Sequence, residues 1–228
     1  MRPAVLIHSC SHDIKNGRHA AINETWGPEV RKYADLYFFV GRENTLPLAD
    51  NEVQLDATED KDNLVDKEAA MLHWAVERGY ERMLKTETDV YINARRMFYK
   101  DYTYADVIGR YVGQWGNFYG SSNLYSFIQG HACWYSAKAA KIVAVNIRAT
   151  HDAAHRGFLT WEVGKLDPSL RAADLWSAQV LTPYWQKKMV TVENENDFAY
   201  GPSTWHLIEN KADTPNWIRK MHREHNGT

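Results

Sequence analysis

Strands and helices alternate over the first 95 residues, and this alternation constrains the fold more than any other feature of the chain. The run Ala4 to Ser9 predicts a buried strand, and Asp35 to Val40, closed by a glycine, predicts a second. Between them, Arg18 to Trp26 predicts a short helix that the Gly27-Pro28 pair ends. An alternation of this kind favours an α/β fold with a mainly parallel central sheet flanked by helices.

The stretch from Asp62 to Arg78 carries the clearest helix signal. Its apolar residues recur at helical spacing and so share one face, which consists of Val65, Ala69, Leu72 and Val76. Gly79 follows where a helix C-terminal glycine belongs. Arg82 to Lys85 then predicts a strand, and Val90 to Ile92 stays extended beyond the acidic step Glu87-Thr88-Asp89. Ligands of mainly parallel sheets bind beyond the carboxyl ends of the strands, which is where this step falls.

Structural signals are sparser in the second part of the chain. Ser136 predicts the cap of a helix over Ala137 to Arg148, and Ala172 to Leu181 predicts another helix that Thr182-Pro183 stops. Thr214-Pro215 predicts the start of a final helix. A further stretch that is rich in Tyr, Gly and Asn predicts a long irregular surface segment, from Tyr99 to Asn123.

The overall composition argues against several classes of protein. The 228 residues are 44% apolar, enough for a sizeable core, and we expect a single domain over residues 1–228. A formal net charge of −2 gives no general field for nucleic acid or an anionic membrane. Cys10 and Cys133 are too few for a disulfide framework. The apolar run after Pro3 is too short for a signal peptide and no transmembrane span follows, so we expect a cytoplasmic protein.

The acidic step has a possible metal chemistry. Glu87 and Asp89 are two residues apart, so in an extended segment both carboxylates point the same way. Magnesium or manganese typically takes one or two protein carboxylates and completes its shell with water and substrate phosphate oxygens. A metal–diphosphate site is therefore one interpretation of this step. Acidic pairs are common, and a solvated turn is the other.

Several stretches, taken in order, resemble segments of one enzyme family. Arg18 to Gly27 is similar to R-R-x-A-I-R-x-T-W-G, and Asn63-Leu64 with Lys67 is similar to an N-L-T-x-K helix. Lys85 to Asn93 is similar to K-x-D-D-D-V-F-V-N, with glutamate in place of the first acid. The family they resemble is that of the β1,3-glycosyltransferases, which includes the Fringe-like enzymes and the β1,3-galactosyl- and N-acetylglucosaminyltransferases.

The resemblance implies a GT-A fold and an inverting transfer. Residues 1–95 would form the nucleotide-sugar-binding half, and residues 96–228 the acceptor-side half with the C-terminal helix. A hexose or N-acetylhexosamine would pass from a UDP-sugar to an acceptor hydroxyl, with Mn²⁺ or Mg²⁺ as the metal. The acceptor would be a saccharide, a protein-linked glycan or a modified nucleic acid. Gln129 to Ser136, similar to a small-residue segment of the family, would line the acceptor side.

The resemblance also assigns roles to single residues. Asp174 lies in a segment similar to E-D-V-x-x-G and would be the catalytic base. Asp89 and Glu87 would hold the metal and the diphosphate, and His206 would complete the metal shell. The nucleotide sugar would be contacted by a further set, namely Arg18, Lys67, Lys85, Glu87 and Thr88.

Four of these residues have a structural alternative. Arg18 would otherwise form an ion pair that holds the first helix, and Lys67 would be a solvated lysine on the polar side of its helix. Asp174 would be a carboxylate favoured by the helix dipole. His206, beside a tryptophan, would be a packed or surface histidine.

Three positions depart from the family pattern and leave other hypotheses open. Asn23 replaces an arginine of the family pattern, Ala173 replaces an acid, and Glu87 replaces an aspartate. A protein that binds a sugar nucleotide without turnover is therefore a second hypothesis. The few cysteines, and the lack of a membrane anchor that we expect, differ from secretory relatives and would indicate a bacterial or viral protein. Transfer to a hydroxymethylated DNA base is a third hypothesis, favoured by the basic cluster Arg219, Lys220, His222 and Arg223.

Overall fold

The computed structural model describes residues 2–60, 64–110, 131–155, 173–195, 204–206 and 213–226. The strands in this part of the chain are β1 (Ala4–His8), β2 (Asp35–Val40), β3 (Glu52–Gln54), β4 (Arg82–Glu87), β5 (Val90–Ile92), β6 (Val107–Gly109), β7 (Ala132–Ser136), β8 (Val192–Asn194) and β9 (Thr204–His206). Seven of them form a central sheet in the order β3–β2–β1–β4–β7–β6–β8, and β5 pairs with β9 in a second sheet of two strands.

Helices cover both faces of the central sheet. They are α1 (Ser11–Lys15), α2 (Arg18–Glu24), α3 (Trp26–Val30), α4 (Leu64–Glu77), α5 (Ala94–Met97), α6 (Ala137–His155), α7 (Ala173–Gln186) and α8 (Thr214–Asn226). One core lies between the sheet and α4, α6 and α7, and the other lies between the sheet and α2, α3, α5 and α8. Within the described ranges, no helix has both the length and the apolar character that crossing a bilayer requires.

The pairing of the strands confirms the predicted α/β fold with a mainly parallel sheet. β1 is parallel to both β2 and β4, and β3 extends the parallel part beyond β2. β7 runs antiparallel to β4 and to β6, and β8 is again parallel to β6. The sheet is therefore parallel on the β1 side and mixed beyond β4.

Strand β1 lies at the centre of the parallel part and is buried on both faces. Ala4 and Leu6 pack into the core beneath α4, whereas Val5 and Ile7 pack into the core beneath α2. All four are fully buried. Alternate side chains of a strand point to opposite faces, so a strand covered on both sides is a continuous apolar run, as the sequence indicated.

Helix α4 buries a face that is rotated from the predicted one. Val65 and Leu72 are buried as expected, but Ala69 and Val76 are only partly buried. The face is completed by Lys67, Glu68, Met71 and Ala75. Two charged side chains replace two apolar ones because they pair with groups of the sheet beneath. Gly79, with φ of 79°, ends the helix as predicted.

Two proline steps do not end helices, contrary to the prediction. Gly27-Pro28 lies in the first turn of α3, where the missing N–H of proline costs no helical hydrogen bond, and α2 stops at Thr25 instead. Pro183 lies inside α7. The neighbouring Thr182 donates its hydroxyl to the Ala178 carbonyl at 2.9 Å, and packing against α6 and α4 offsets the one lost hydrogen bond.

The segment predicted as irregular surface contains a buried strand. β6 falls within Tyr99 to Asn123 and pairs with both β7 and β8, while residues 111–123 lie outside the described ranges. A strand of three residues is too short to show periodicity. Ser136 accepts a hydrogen bond from the Ala139 N–H at 3.1 Å, which confirms the predicted cap of α6.

Candidate active site

A cavity of about 340 Å³ lies beyond the carboxyl ends of β1 and β4, where the sequence predicts a site. It is lined by residues from the end of β1, α1, the start of α2, the 57–60 loop, α4 and the acidic step. They are His8, Ser9, Cys10, His12, Asp13, Arg18, Glu59, Leu64, Lys67, Glu87, Thr88 and Asp89. The cavity thus brings together four of the five residues that the sequence predicts to contact the nucleotide sugar. They are Arg18, Lys67, Glu87 and Thr88.

The acidic step reaches the cavity through a turn. Glu87 is the last residue of β4, and Thr88 and Asp89 form the turn that leads to β5. The prediction that strand alternation alone aligns Glu87 with Asp89 is therefore wrong, although both side chains line the same space. Asp89 is 3% exposed, which excludes a solvated turn as the explanation of this carboxylate.

The donor set at this turn suits a hard divalent cation. Glu87 and Asp89 offer carboxylate oxygens, the ligands that Mg²⁺ and Mn²⁺ prefer. In the part of the chain that the structure describes, no group of three or more His, Cys, Asp or Glu is arranged to hold a metal. Among the described side chains, a cation at this turn would therefore depend on the two carboxylates together with oxygens of a bound substrate.

Arg18 joins the acidic turn to helix α1. Its Nη1 lies 2.8 Å from Asp13 Oδ1 and donates to Thr88 Oγ1 at 3.3 Å. The side chain is 12% exposed, so the guanidinium forms part of the cavity wall. The structural alternative for Arg18, an ion pair that holds the first helices, is confirmed. In this ion pair the guanidinium still faces the cavity. Its contact with a donor stays a prediction.

Lys67 is buried at the floor of the cavity. It is 1% exposed and its ammonium donates to the Ser9 carbonyl. Burial lowers the pKa of Lys67, and the nearby Glu59 carboxylate opposes this shift. The expectation of a solvated lysine is wrong, because α4 turns this position toward the end of β1. The positive charge therefore lies beneath the loop that lines the cavity.

Lys85 lies deeper than predicted. Its Nζ is 3.6 Å from Glu68 Oε2, and both side chains are almost completely buried. In the sheet it lies between Leu6 of β1 and Cys133 of β7. Lys85 is not among the residues that line the cavity, and its geometry indicates a structural ion pair between the sheet and α4. A direct contact with the donor is not supported by this position.

His8 was missed by the sequence reasoning and lines the cavity. It is the last residue of β1 and lies opposite Glu87 in the register of β1 and β4. Burial, followed by the charges of Lys67 and Lys85, holds the pKa of His8 well below its ordinary value. A neutral imidazole therefore stands beside the acidic step. Its position at the carboxyl end of a predicted buried strand was the signal that could have found it.

A chain of hydrogen bonds supports the loop that follows β1. Ser9 Oγ lies 2.5 Å from His19 Nε2, and His19 Nδ1 lies 2.5 Å from Glu52 Oε1. The ring of His19 stacks on Phe38 with centroids 4.0 Å apart. Burial lowers the pKa of His19, and the hydrogen bond that its ring donates to the Glu52 carboxylate opposes this shift. The chain links α2 and β3 to Ser9, whose carbonyl receives Lys67, so the floor of the cavity is held from two sides.

The two remaining predicted residues are placed only by their backbone. β9 pairs antiparallel with β5 so that His206 lies opposite Val90, the residue after Asp89. Asp174 is the second residue of α7. The side chains of His206 and Asp174 lie outside the described part of the structure, and their roles stay predictions.

A solved glycosyltransferase has the same overall fold. The crystal structure of a glycosyltransferase involved in the glycosylation of the major capsid of PBCV-1 matches with a TM-score of 0.58 and 11% sequence identity. The match covers 96% of this chain and 100% of the other. No protein-family model and no curated protein matches the sequence. The likeness shows a fold of the GT-A type, and the relation to the β1,3-glycosyltransferases rests on the sequence resemblance alone.

Proposed function

We propose that this protein is a metal-dependent, inverting glycosyltransferase that moves a hexose or N-acetylhexosamine from a UDP-sugar to an acceptor hydroxyl. The observation that carries the proposal is the cavity beyond β4, which holds the carboxylates of Glu87 and Asp89 together with the cation of Arg18. Its place at the carboxyl end of a parallel strand, in a fold of the GT-A type, supports this assignment.

A nucleoside diphosphate fits the mixture of charges in the cavity. Mn²⁺ or Mg²⁺, held by Asp89 and Glu87, would offset charge on the departing diphosphate. Arg18 presents a guanidinium, whose planar fork suits phosphate oxygens. Lys67 adds a second positive charge from the floor, fixed at the Ser9 carbonyl. In this arrangement the carboxylates would bind the diphosphate through the metal, and the two cations would offset its negative charge directly.

His206 is the third metal ligand in this proposal. The register of β5 and β9 supports it, because the backbone of His206 is held opposite Val90, one residue from Asp89. A histidine nitrogen is a good ligand for manganese, and more so than for magnesium. The proposal therefore favours Mn²⁺ as the activating ion.

Asp174 is the proposed base. Its carboxylate takes the proton of the acceptor hydroxyl while the acceptor oxygen forms a bond to the anomeric carbon of the sugar. The bond from that carbon to the diphosphate oxygen breaks on the opposite side, which inverts the configuration. Asp174 lies in the first turn of α7, where the helix dipole favours the ionised carboxylate that a base requires.

The release of UDP tests the proposal. The chain, incubated with UDP-glucose, UDP-galactose or UDP-N-acetylglucosamine and manganese, is expected to release UDP, and Asp89→Asn is expected to abolish the release. Asp56→Asn is the matched control, since the side chain of Asp56 is 95% exposed on the surface. Activity retained in Asp89→Asn would contradict the metal assignment. Tight binding of a UDP-sugar with no turnover would instead favour the sugar-nucleotide-binding hypothesis.

The structure gives little support to duplex DNA as the acceptor. Two members of the C-terminal basic cluster are engaged in ion pairs, with Arg219 Nη2 2.7 Å from Glu24 and Lys220 Nζ 3.8 Å from Glu224. His222 faces Tyr91 at 3.4 Å. A saccharide or a protein-linked glycan is therefore the acceptor class that we favour, and salt-sensitive binding to duplex DNA would argue against it.

A further inference from the structure

Two further cavities lie on the α3 side of the sheet and share one tyrosine. The first, of about 300 Å³, lies among α3, β5, α5 and α8, and the second, of about 340 Å³, lies near the amino-terminal ends of β1 and β4. Tyr33, which is 41% exposed, lines both. Arg82 in the second cavity begins β4 and Glu87 ends it, so the two are about 17 Å apart at the usual rise of a strand. The second cavity is therefore separate from the candidate active site, and the first shares no lining residue with that site.

The second cavity has aromatic walls that are held by one another. Tyr33 stacks on Phe98 with centroids 5.4 Å apart and planes only 6° from parallel. Phe98 meets Trp134 edge to face at 5.8 Å, and Tyr102 stacks on the same indole at 5.4 Å. Trp134 and Tyr102 are buried, whereas Tyr33 is exposed at the rim. Flat, prearranged aromatic faces with polar edges suit the apolar faces of sugar rings.

The charged groups around the two cavities nearly cancel. In the second cavity Arg82 and Lys100 stand against Glu81 and Asp101. The first cavity is lined by one acid and two basic residues, namely Glu29, Lys32 and Arg95. Because these charges are nearly balanced, they produce no strong electrostatic field that would attract a phosphate or a nucleic acid. It offers both donors and acceptors, which the hydroxyl groups of a neutral sugar use equally well.

Each cavity also contains a buried donor that lacks a hydrogen-bond partner among the described residues. Trp26 lines the first cavity and Trp134 lines the second, and the indole N–H of each is buried without a partner in this part of the chain. Arg82 uses Nη1 to donate to the Ala105 carbonyl at 2.7 Å, while its Nε and Nη2 have no partner in the same part of the chain. Buried donors without a partner are uncommon. A small shift of the surrounding side chains would let the oxygen atoms of a ligand reach them.

We propose that Tyr33 and the two cavities form one groove, the Tyr33 groove, that binds a neutral oligosaccharide. Tyr33 stacks on a sugar ring at the centre, and the tryptophan N–H groups on either side donate to hydroxyl oxygens of the sugar. In naming the ligand as the acceptor glycan, this inference rests on the proposed glycosyltransferase function. The groove would then hold an acceptor chain at a distance from the point of transfer.

Binding of defined sugars tests the Tyr33 groove directly. The probes are cellotetraose, maltotetraose and an N-acetylglucosamine-containing tetrasaccharide, titrated into the full chain by calorimetry without any donor. We expect at least one to bind, and Tyr33→Ala to weaken it at least tenfold. Tyr99→Ala is the matched control, because Tyr99 is 89% exposed and lines neither cavity. Equal loss in the two variants, or no binding of any probe at millimolar concentration, would overturn the proposal.

Nuclear magnetic resonance locates the bound sugar. The indole N–H signals of Trp26 and Trp134, assigned with Trp→Phe variants or by selective labelling, are expected to shift on addition of the tetrasaccharide that binds. Shifts confined to other tryptophans would place the sugar elsewhere and overturn the groove. If an aromatic peptide or UDP shifted the Trp26 and Trp134 signals while no sugar did, the proposal would also be overturned.

A second comparison separates this proposal from the proposed function. Asp89→Asn is expected to abolish UDP release and to leave tetrasaccharide binding unchanged. Tyr33→Ala is expected to raise the KM for a tetrasaccharide acceptor about tenfold, with little change in kcat or in the slow hydrolysis of the donor. Sugar binding without any turnover would contradict the transferase assignment alone. Turnover with no effect of Tyr33→Ala on binding would contradict the groove alone.

Discussion

Arg18 donates a hydrogen bond to the Thr88 hydroxyl at 3.3 Å, across 70 residues of sequence, while the same nitrogen pairs with Asp13 at 2.8 Å. One guanidinium therefore joins the acidic turn to helix α1. The acidic turn and α1 are thus held to each other before any ligand enters the cavity. Several consequences of this arrangement can be measured.

Arg18→Lys is expected to weaken the binding of UDP with manganese about tenfold, which corresponds to about 1.4 kcal/mol. Lysine keeps the charge but has no planar fork, so it cannot serve Asp13, Thr88 and a phosphate in one plane. Calorimetric titration of UDP measures the change. Arg42→Lys is the control, since Arg42 forms an exposed pair with Asp56. Equal affinities of wild type and Arg18→Lys would show that Arg18 serves only the fold.

Glu68→Gln is expected to destabilise the protein by about 3 kcal/mol, because it takes a carboxylate away from the buried charge of Lys85. Urea denaturation measures the free energy of unfolding. Glu224→Gln, in the exposed pair with Lys220, is the control and is expected to change it by less than about 1 kcal/mol. The double variant Glu68→Leu with Lys85→Met is expected to recover much of the loss, and a double variant as unstable as Glu68→Gln would contradict this account.

Stability is expected to fall as the pH falls below about 6.5, in part through His19. Burial lowers the pKa of His19, so the unfolded chain takes up a proton near the ordinary value of 6.5 while the folded chain does not. The stabilisation is therefore present above that pH and is lost toward the lower folded pKa. The slope from this one group is at most about 1.4 kcal/mol per pH unit.

His19→Gln is expected to remove that contribution from the pH dependence. Urea denaturation at several pH values between about 7 and 5 compares the slopes of variant and wild type. Glu52→Gln gives a useful contrast, since the Glu52 carboxylate raises the pKa of His19. Its loss lowers the folded pKa further, so the pH range over which stability is lost extends to lower pH. A slope that is unchanged in His19→Gln would show that His19 does not titrate between the two states.

Gly41→Ala is expected to destabilise the protein by about 2 kcal/mol and to weaken UDP binding. A Cβ at this position would lie 2.7 Å from the Ala57 carbonyl and 2.9 Å from the Glu59 N–H, both backbone atoms. The Glu59 carboxylate accepts from the N–H groups of Gly41 and Ser11, so a shift of this loop disturbs the cavity that Glu59 lines.

Gly17→Ala provides the comparison for that variant. Gly17 has φ of 74°, so alanine costs about 1 kcal/mol of backbone strain, but beyond the neighbouring residues no atom lies within 4 Å of the added methyl group. Urea denaturation and titration of UDP are measured on both variants. We expect Gly17→Ala to lose some stability and to retain UDP binding. Weaker UDP binding in Gly17→Ala to the same extent would show that general destabilisation, and not the Glu59 loop, is responsible.

The elements that the sequence predicted correctly are those whose signal is local. β2, the C-terminal end of α4 at Gly79, the cap of α6 at Ser136 and the start of α8 at Thr214 each depend on residues within a few positions of one another. The predictions failed where packing overrides a local rule. Pro183 continues a helix that two other helices cover, and β6 is too short to show a period.

By itself, then, the sequence determined the alternating α/β order and placed an acidic step at the end of a strand, since periodicity and turn residues act over short distances. Only the tertiary structure decided which side chains meet there. Lys67 is buried because Ser9 lies beneath α4. His19, which contacts Ser9, reaches Glu52 across 33 residues because β3 lies at the sheet edge beyond β2. Such contacts depend on strand order, which no local pattern specifies.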